Sequence, residues 1–191
     1  MHGLVVLDGE DEVIRPVILW NDGRTAKEVD YLNETVGREK LSAYTANIAF
    51  AGFTAPKLLW MQKHEPENFR RVYRWLDVKD YLISRCTGRF AVTQDSAFAT
   101  LLYDTRKGHR GWSKTICKML GVNMEHLPEI VASTDCVGGL TAKAAAELGL
   151  KEGTCVFGGG GDSSLIGVGA GCVNPGDTHI YWGTSGWVIT V

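Results

Sequence analysis

Thr154-Cys155-Val156-Phe157-Gly158-Gly159-Gly160-Gly161-Asp162-Ser163-Ser164 is a β-branched and aromatic run that stops at four glycines and a carboxylate. The run reads as a buried-type strand. Glycines let the chain turn and let a ligand approach the backbone, because no Cβ stands in the way. Residues 163–170 then read as a helix, and a helix N-terminus beside glycines favours a bound anion. Asp162 at the junction has two readings: a helix cap, or a carboxylate held at a ligand cleft as a general base. A Walker-type loop is excluded, since no Gly-Lys-Ser/Thr follows.

Further along, Ile180-Tyr181-Trp182-Gly183-Thr184-Ser185-Gly186 is again a strand running into a turn of small residues. It is either a plain turn or a set of hydroxyls and N–H groups placed for phosphate oxygens. An acidic turn and a hydroxyl-bearing turn together suit phosphoryl transfer, which depends on positioning and charge stabilisation. Near the start, Trp20-Asn21-Asp22-Gly23-Arg24 offers an aromatic face, an amide, a carboxylate and a guanidinium. That set suits a sugar, or Asp22 is a helix cap and Arg24 a surface residue. His2 is ambiguous on its own.

The intervening chain alternates strands and helices, so the fold class is α/β. Leu4-Val5-Val6-Leu7 and residues 13–20 read as a hairpin around an Asp-Gly turn, with Pro16 making the second strand an edge or a bulged one. A helix is predicted from Thr25 through Val36, stopped by Gly37. Residues 38–52 read as irregular. The spacing predicts a helix over 55–63, capped by Thr54, with Pro56 in its first turn. Residues 69–75 read as a strand, 79–86 as a helix stopped by Thr87-Gly88, and 90–93 as a strand. Helices follow at 113–120, ending at Gly121, and at 141–148, capped by Thr141 and stopped by Gly149.

The composition is that of an ordinary globular chain. Of 191 residues, 45% are apolar and 22% charged, with a formal net charge of −2. Binding of nucleic acid through a broad basic face is therefore not expected. No apolar run is long enough to cross a membrane, and residues 1–8 lack the basic start and long apolar core of a signal peptide. The five cysteines are widely spaced, with no C-x-x-C pair. They read as free, small, buried side chains in a reducing compartment.

Taken together, these segments resemble the FGGY carbohydrate kinases, and most of all the xylulokinases among them. The likeness rests on Gly52-Phe53-Thr54-Ala55-Pro56-Lys57-Leu58-Leu59-Trp60-Met61-Gln62-Lys63-His64, on Trp20-Asn21-Asp22-Gly23-Arg24, and on Met1-His2-Gly3. Lys79-Asp80-Tyr81-Leu82, Thr87-Gly88, Trp112-Ser113, Gly159-Gly160-Gly161-Asp162 and Gly183-Thr184-Ser185-Gly186 follow in the family's order. The resemblance implies an actin-like (ribonuclease H-like) ATPase lobe of α/β class. It implies ATP with Mg²⁺ as cofactors, with metal-binding residues left unassigned, and Asp162 as the catalytic base. Met1 and His2 would touch the ketose, with Asn21 and Asp22 beside it, and Gly183, Thr184 and Ser185 would lie against the nucleotide phosphates. Lys57 and Trp60 mark the family signature, and a structural lysine and a core tryptophan are the roles expected of them.

The resemblance also implies an organisation and a product. Residues 1–174 match a sugar-binding lobe without its opening D-x-G-T strands, and residues 175–191 match the start of a nucleotide-binding lobe. The fold is expected to be incomplete at both ends, and the 191 residues alone to be inactive. The expected reaction is xylulose to xylulose 5-phosphate in the cytoplasm. The partners are a sugar, with no nucleic acid and no membrane, and a homodimer stays open for a full-length protein. A non-catalytic sugar-binding or regulatory relative, an actin-like scaffold, and a kinase for another pentulose or polyol are the alternatives. Local departures bear on the sugar: Thr45-Ala46-Asn47 for T-G-N, Ser163-Ser164 after Asp162, Gln94-Asp95-Ser96-Ala97-Phe98-Ala99-Thr100 for S-D-A-S-G-T, and Trp187 after the second turn.

Overall fold

The computed structural model describes residues 2–183 and 186–191. Strand β1 (Val5–Leu7) pairs antiparallel with β2 (Arg74–Leu76), with Val6 opposite Trp75. Its side chains alternate between two clusters: Leu4 and Val6 enter the main core, while Val5 and Leu7 pack with Leu76 on the other face. Burial on both faces explains why this run is continuously apolar rather than alternating. Beyond the Asp8 turn, residues 13–20 return alongside β1, but only Leu7–Val13 and Leu4–Ile18 form bridges. The expected second strand is thus reduced to two contacts, because Pro16 lies between them and has no N–H to donate.

A short 3₁₀ turn (Gly23–Thr25) leads into α1 (Ala26–Asp30), a π-helical stretch (Tyr31–Gly37) and α2 (Arg38–Thr45). Two expectations are corrected here. Gly37 breaks the backbone, with φ of 99°, yet the helix resumes at Arg38. Of the segment read as irregular, residues 38–45 are helical because Leu41 and Thr45 are buried on the inner side, while residues 46–52 are irregular as expected. Packing of that face, rather than propensity, holds it.

Helix α3 (Thr54–His64) buries Ala55, Leu58 and Met61. Its cap position is Phe53, not Thr54; the Thr54 hydroxyl instead donates to Asp77 Oδ1 at 3.4 Å. The strand read over 69–75 is corrected as well. Helix α4 (Pro66–Arg71), opened by proline in its first turn, occupies its first three residues, and β2 begins only at Arg74. Helix α5 (Val78–Thr87) ends at Gly88 in the left-handed conformation, as expected.

Strand β3 (Ala91–Thr93) runs straight into α6 (Gln94–Phe98) and pairs parallel with β6 (Glu129–Val131). Between them lie the β4 (Tyr103–Asp104) and β5 (Gly111–Trp112) pair and α7 (Lys114–Met119), capped by the Ser113 hydroxyl. Strand β7 (Cys136–Gly139) pairs antiparallel with β8 (Cys155–Phe157). Helix α8 (Ala142–Leu148) between them is capped by the Thr141 hydroxyl and stopped by left-handed Gly149, as expected. Helix α9 (Asp162–Gly169) and the hairpin β9 (Thr178–Trp182)/β10 (Gly186–Thr190) complete the chain. The buried strand expected at 154–157 is corrected: β8 is half-buried and Phe157 is exposed, since among the described residues β8 pairs only with β7.

The cysteine reading needs the largest correction. Cys136 and Cys155 are joined as a disulfide, with Cα atoms 5.8 Å apart. Antiparallel pairing with a register shift at Cys136 brings the two together, which spacing along the chain does not reveal. Cys86, Cys117 and Cys172 are free, as expected. Only Cys117 of these is fully buried, and burial pushes its thiol up to about 11.

Ala46, which ends α2, stands in the left-handed region, with φ of 53°. A Cβ there costs about 1–2 kcal/mol, part of which glycine returns as unfolded-state entropy. Ala46→Gly is expected to stabilise the chain by up to about 1 kcal/mol, a rise of roughly 2–4 °C in Tm. A melt followed by circular dichroism checks this; an unchanged or lowered Tm contradicts it.

Candidate functional site

Lys57 is the largest fully buried side chain among the described residues. Its ammonium donates to the Gly52 carbonyl at 2.7 Å and to the His2 carbonyl. Burial pulls its pKa down to about 8, while Asp77 and Asp22 push it back up. Lys57 is therefore structural, as expected. Trp60 is only half-buried, stacked on His64 and lying under the Arg24 guanidinium.

The backbone that Lys57 pins carries the first candidate residues. Gly3 has no room for a side chain, since a Cβ would lie 2.8 Å from Val78 Cγ2 and 2.9 Å from Val17 Cγ1. This close approach sets the 2–3 turn directly against the start of α5. His2 Nδ1 lies 3.7 Å from Asp77 Oδ2, and neither atom has a hydrogen-bond partner. Gly3, Leu19, Trp20, Val78, Lys79 and Leu82 enclose an open cleft of about 410 Å³. Three stretches that are far apart in the chain therefore meet at one cleft. Its walls are mostly apolar, with Trp20 presenting an exposed ring, the kind of surface on which a sugar ring stacks.

Asp22 accepts from the Arg24 backbone N–H at 3.0 Å and from its side-chain Nε at 2.9 Å. The Arg24 side chain holds the Asp22 carboxyl below its ordinary range. The capping role is thus realised at Asp22. Asn21 is exposed.

Lys79 connects the cleft to the glycine turn. Its ammonium pairs with the buried Asp80 carboxylate and donates to the Gly158 carbonyl at 3.1 Å. At the other end of the turn, the Gly161 N–H donates to Asp95 Oδ2. Gly158 is as tightly enclosed as Gly3: a Cβ would meet Thr93 Cγ2 at 2.8 Å and the Ala132 carbonyl at 2.9 Å. Asp162 follows as the first residue of α9, exposed, with Gly161 rather than Asp162 in the cap position. The capping reading of Asp162 is therefore not realised, and its carboxylate is free to face a ligand.

Gly183 lies exposed at the tip of the β9/β10 hairpin. No hydrogen bond joins this hairpin to the 158–162 turn among the described residues. Met1, Thr184 and Ser185 lie outside the described residues. Nor do the described residues include a group of three or more His, Cys, Asp or Glu arranged to hold a metal ion. A second cavity, of about 180 Å³ and lined by Leu58, Phe69 and Trp75 among others, is apolar and holds none of the groups above.

Sequence reasoning did not single out Asp77 or the supporting role of Asp95. Asp95 was legible only as part of the Gln94–Thr100 departure, and Asp77 carried no signal. Asp80 is fully buried with one oxygen unpartnered. Burial pushes its pKa up to about 7, against the pull of Lys79.

Residues 1–169 match the N-terminal domain of the FGGY family of carbohydrate kinases. The chain is 41% identical over 191 residues to the xylulose kinase of Bacillus subtilis, covering all of this chain and 38% of that protein. Among solved structures, a xyloylose kinase of Brucella ovis superposes with a TM-score of 0.90 at 38% identity, over 98% of this chain and 38% of the other. A gluconate kinase of Lactobacillus acidophilus superposes with a TM-score of 0.92 at 23% identity, over 98% of this chain and 38% of the other, a likeness of fold. The chain thus spans well under half the length of the relatives it matches.

Asp80 generates a pH test. Its folded pKa lies above the ordinary 3.8, so between about pH 4 and 7 the folded state holds more protons than the unfolded state. Its contribution to stability is complete below about pH 4 and is lost as pH rises through about 7. Asp80→Asn is expected to flatten that fall. Melts of both proteins across this range check it; parallel curves contradict it.

Proposed function

The chain belongs to the FGGY family of carbohydrate kinases, and from that membership we propose that it carries the sugar-binding side of an ATP-dependent kinase converting xylulose to xylulose 5-phosphate. The actin-like α/β fold of its structural neighbours fits this role. The observation that carries the proposal is the meeting of the 2–3 turn, Trp20 and Lys79 at one cleft, with Lys79 also bonded to the turn that ends in Asp162.

In this reading the sugar lies against Trp20, with His2 and the exposed Asn21 beside it. A ketose contact is assigned to Met1 on the resemblance alone, and Asp22 belongs with Asn21 to the polar segment beside the sugar. Asp162 takes the proton of one sugar hydroxyl, and that oxygen attacks the γ-phosphorus of ATP, releasing ADP. The nucleotide phosphates lie at the second turn, with Gly183, Thr184 and Ser185. The Mg²⁺ expected with ATP finds no ligand set among the described residues, and no step above uses one. Residues 1–174 form the sugar lobe and residues 175–191 begin the nucleotide lobe, a division supported by the family match ending at residue 169. A cytoplasmic setting, which supplies ATP, fits this reading.

Xylulose is favoured over other pentuloses and polyols by the identity to xylulose kinases. The test is a coupled ADP-release assay with a panel of ketoses and polyols. It is run on this chain and on a chimera in which it replaces the matching segment of the Bacillus subtilis relative. The 191 residues alone are expected to be inactive and the chimera active, with the highest kcat/KM for xylulose. Asp162→Ala in the chimera is expected to lower kcat by about a thousandfold or more, with KM for the sugar little changed. Unchanged turnover in that variant contradicts the base assignment, and preference for another sugar contradicts the substrate.

A further inference from the structure

The glycine turn before Asp162 has no side chains of its own to fix it, so its shape depends on what other elements supply. The 133–135 loop holds the start of the turn: the Gly158 N–H donates to the Asp135 carbonyl at 3.0 Å and the Gly159 N–H to the Ser133 carbonyl at 2.9 Å. Neither bond reaches Gly160 or Gly161, the residues next to Asp162. At that end the partner is Asp95, in the first turn of α6. Its Oδ2 accepts from the Gly161 N–H, and its Oδ1 accepts from the Thr93 hydroxyl. The same Oδ2 would lie 3.1 Å from a Cβ on Gly160, so the carboxylate is packed against the turn as well as bonded to it.

We propose that Asp95 is a positioning residue for phosphoryl transfer: by holding Gly161 it sets the direction in which the Asp162 carboxylate faces the sugar. Lys79 holds the opposite end through the Gly158 carbonyl, so the turn is gripped by a carboxylate from α6 and an ammonium from α5. Each oxygen of Asp95 has a separate donor, one from the turn and one from Thr93. An amide in its place keeps one acceptor oxygen for the Gly161 N–H, meets Thr93 only as a donor and forces that hydroxyl to turn its hydrogen elsewhere, and it carries no charge. A carboxylate accepting from a backbone N–H also makes a stronger bond than a neutral acceptor does. Loss of this bond leaves Gly160 and Gly161 free to move, and a small displacement of a reacting group is enough to slow a reaction about a hundredfold.

The proposal rests on Asp162 being the base, so the experiment separates the two. In the active chimera described above, kcat and KM for xylulose are measured for Asp95→Ala, Asp95→Asn, Thr93→Val and Asp162→Ala. Asp95→Ala is expected to lower kcat about tenfold to hundredfold with KM for the sugar within twofold. Asp95→Asn and Thr93→Val, which each spare part of the grip, are expected to fall between it and the unaltered protein. Amide exchange is read in parallel on the 191-residue chain labelled with ¹⁵N-glycine. The Gly161 amide is expected to exchange about tenfold or more faster in Asp95→Ala, with the Gly139 and Gly149 amides unchanged. If Asp162→Ala abolishes turnover while Asp95→Ala keeps its kcat, the positioning role is overturned and the base assignment stands. If Asp162→Ala keeps its kcat, both fall. If Asp95→Ala lowers exchange protection throughout the chain, Thr93→Val decides: unchanged kcat in that variant overturns the proposal.

Discussion

One buried cation sets the geometry on which the rest depends. Lys57 sits inside the protein with its ammonium shared between the carbonyls of His2 and Gly52. Taking a charge out of water is costly unless it is paired and bonded. Here two carbonyl dipoles accept directly, and Asp77 and Asp22 add their field. The cost is met only when the 2–3 turn, the loop before α3 and the helix itself are all in place. The lysine thus works as a three-way lock, the structural role that the sequence led one to expect.

That lock explains why the cleft is assembled from distant stretches of chain. With His2 pinned, Gly3 can approach Val17 and Val78 closely, which brings the start of α5 beside the 2–3 turn. β1 follows directly and is buried on both faces, and β2 pairs with it just before Asp77. Asp77, Val78, Lys79 and Asp80 thus emerge from the end of β2 into the first turn of α5 at the cleft wall. The site lies where strands end and helices begin, the usual place for a ligand in an α/β protein.

Reading the chain as a sequence succeeded where a local signal is sufficient. Gly88 and Gly149 end helices because glycine alone enters the left-handed region freely, and Ser113 and Thr141 cap helices because a hydroxyl satisfies a free N–H. The same logic explains Ala46, where the resemblance leads to an expected glycine and this chain carries an alanine in the left-handed region. The failures have a common cause. Helix α2 has few apolar residues and is held by contacts of Leu41 and Thr45. The Cys136–Cys155 pair depends on the register of β7 against β8. The position of Asp95 against Gly161 joins residues 66 positions apart. Each is decided by tertiary packing, which periodicity and motif spacing do not encode. The resemblance found the turn holding Asp162, but not what holds that turn.

The cleft at Trp20 and the Asp162 turn are not mechanically independent, because Lys79 belongs to both. Its side chain lines the cleft while its ammonium is divided between Asp80 and the Gly158 carbonyl. Asp80 is fully buried, and one of its oxygens has no partner, so its charge is sustained mainly by Lys79. On the proposed function, a substrate hydroxyl competing for the Lys79 ammonium would weaken that pairing and loosen the grip on Gly158 in the same event. A sugar that left the ammonium in place would keep the turn, and with it Asp162, in position. On the proposed function, selection among sugars at the cleft and orientation of Asp162 therefore draw on a single ammonium group. This gives a physical reason for a lysine whose three donors can be shared at this point.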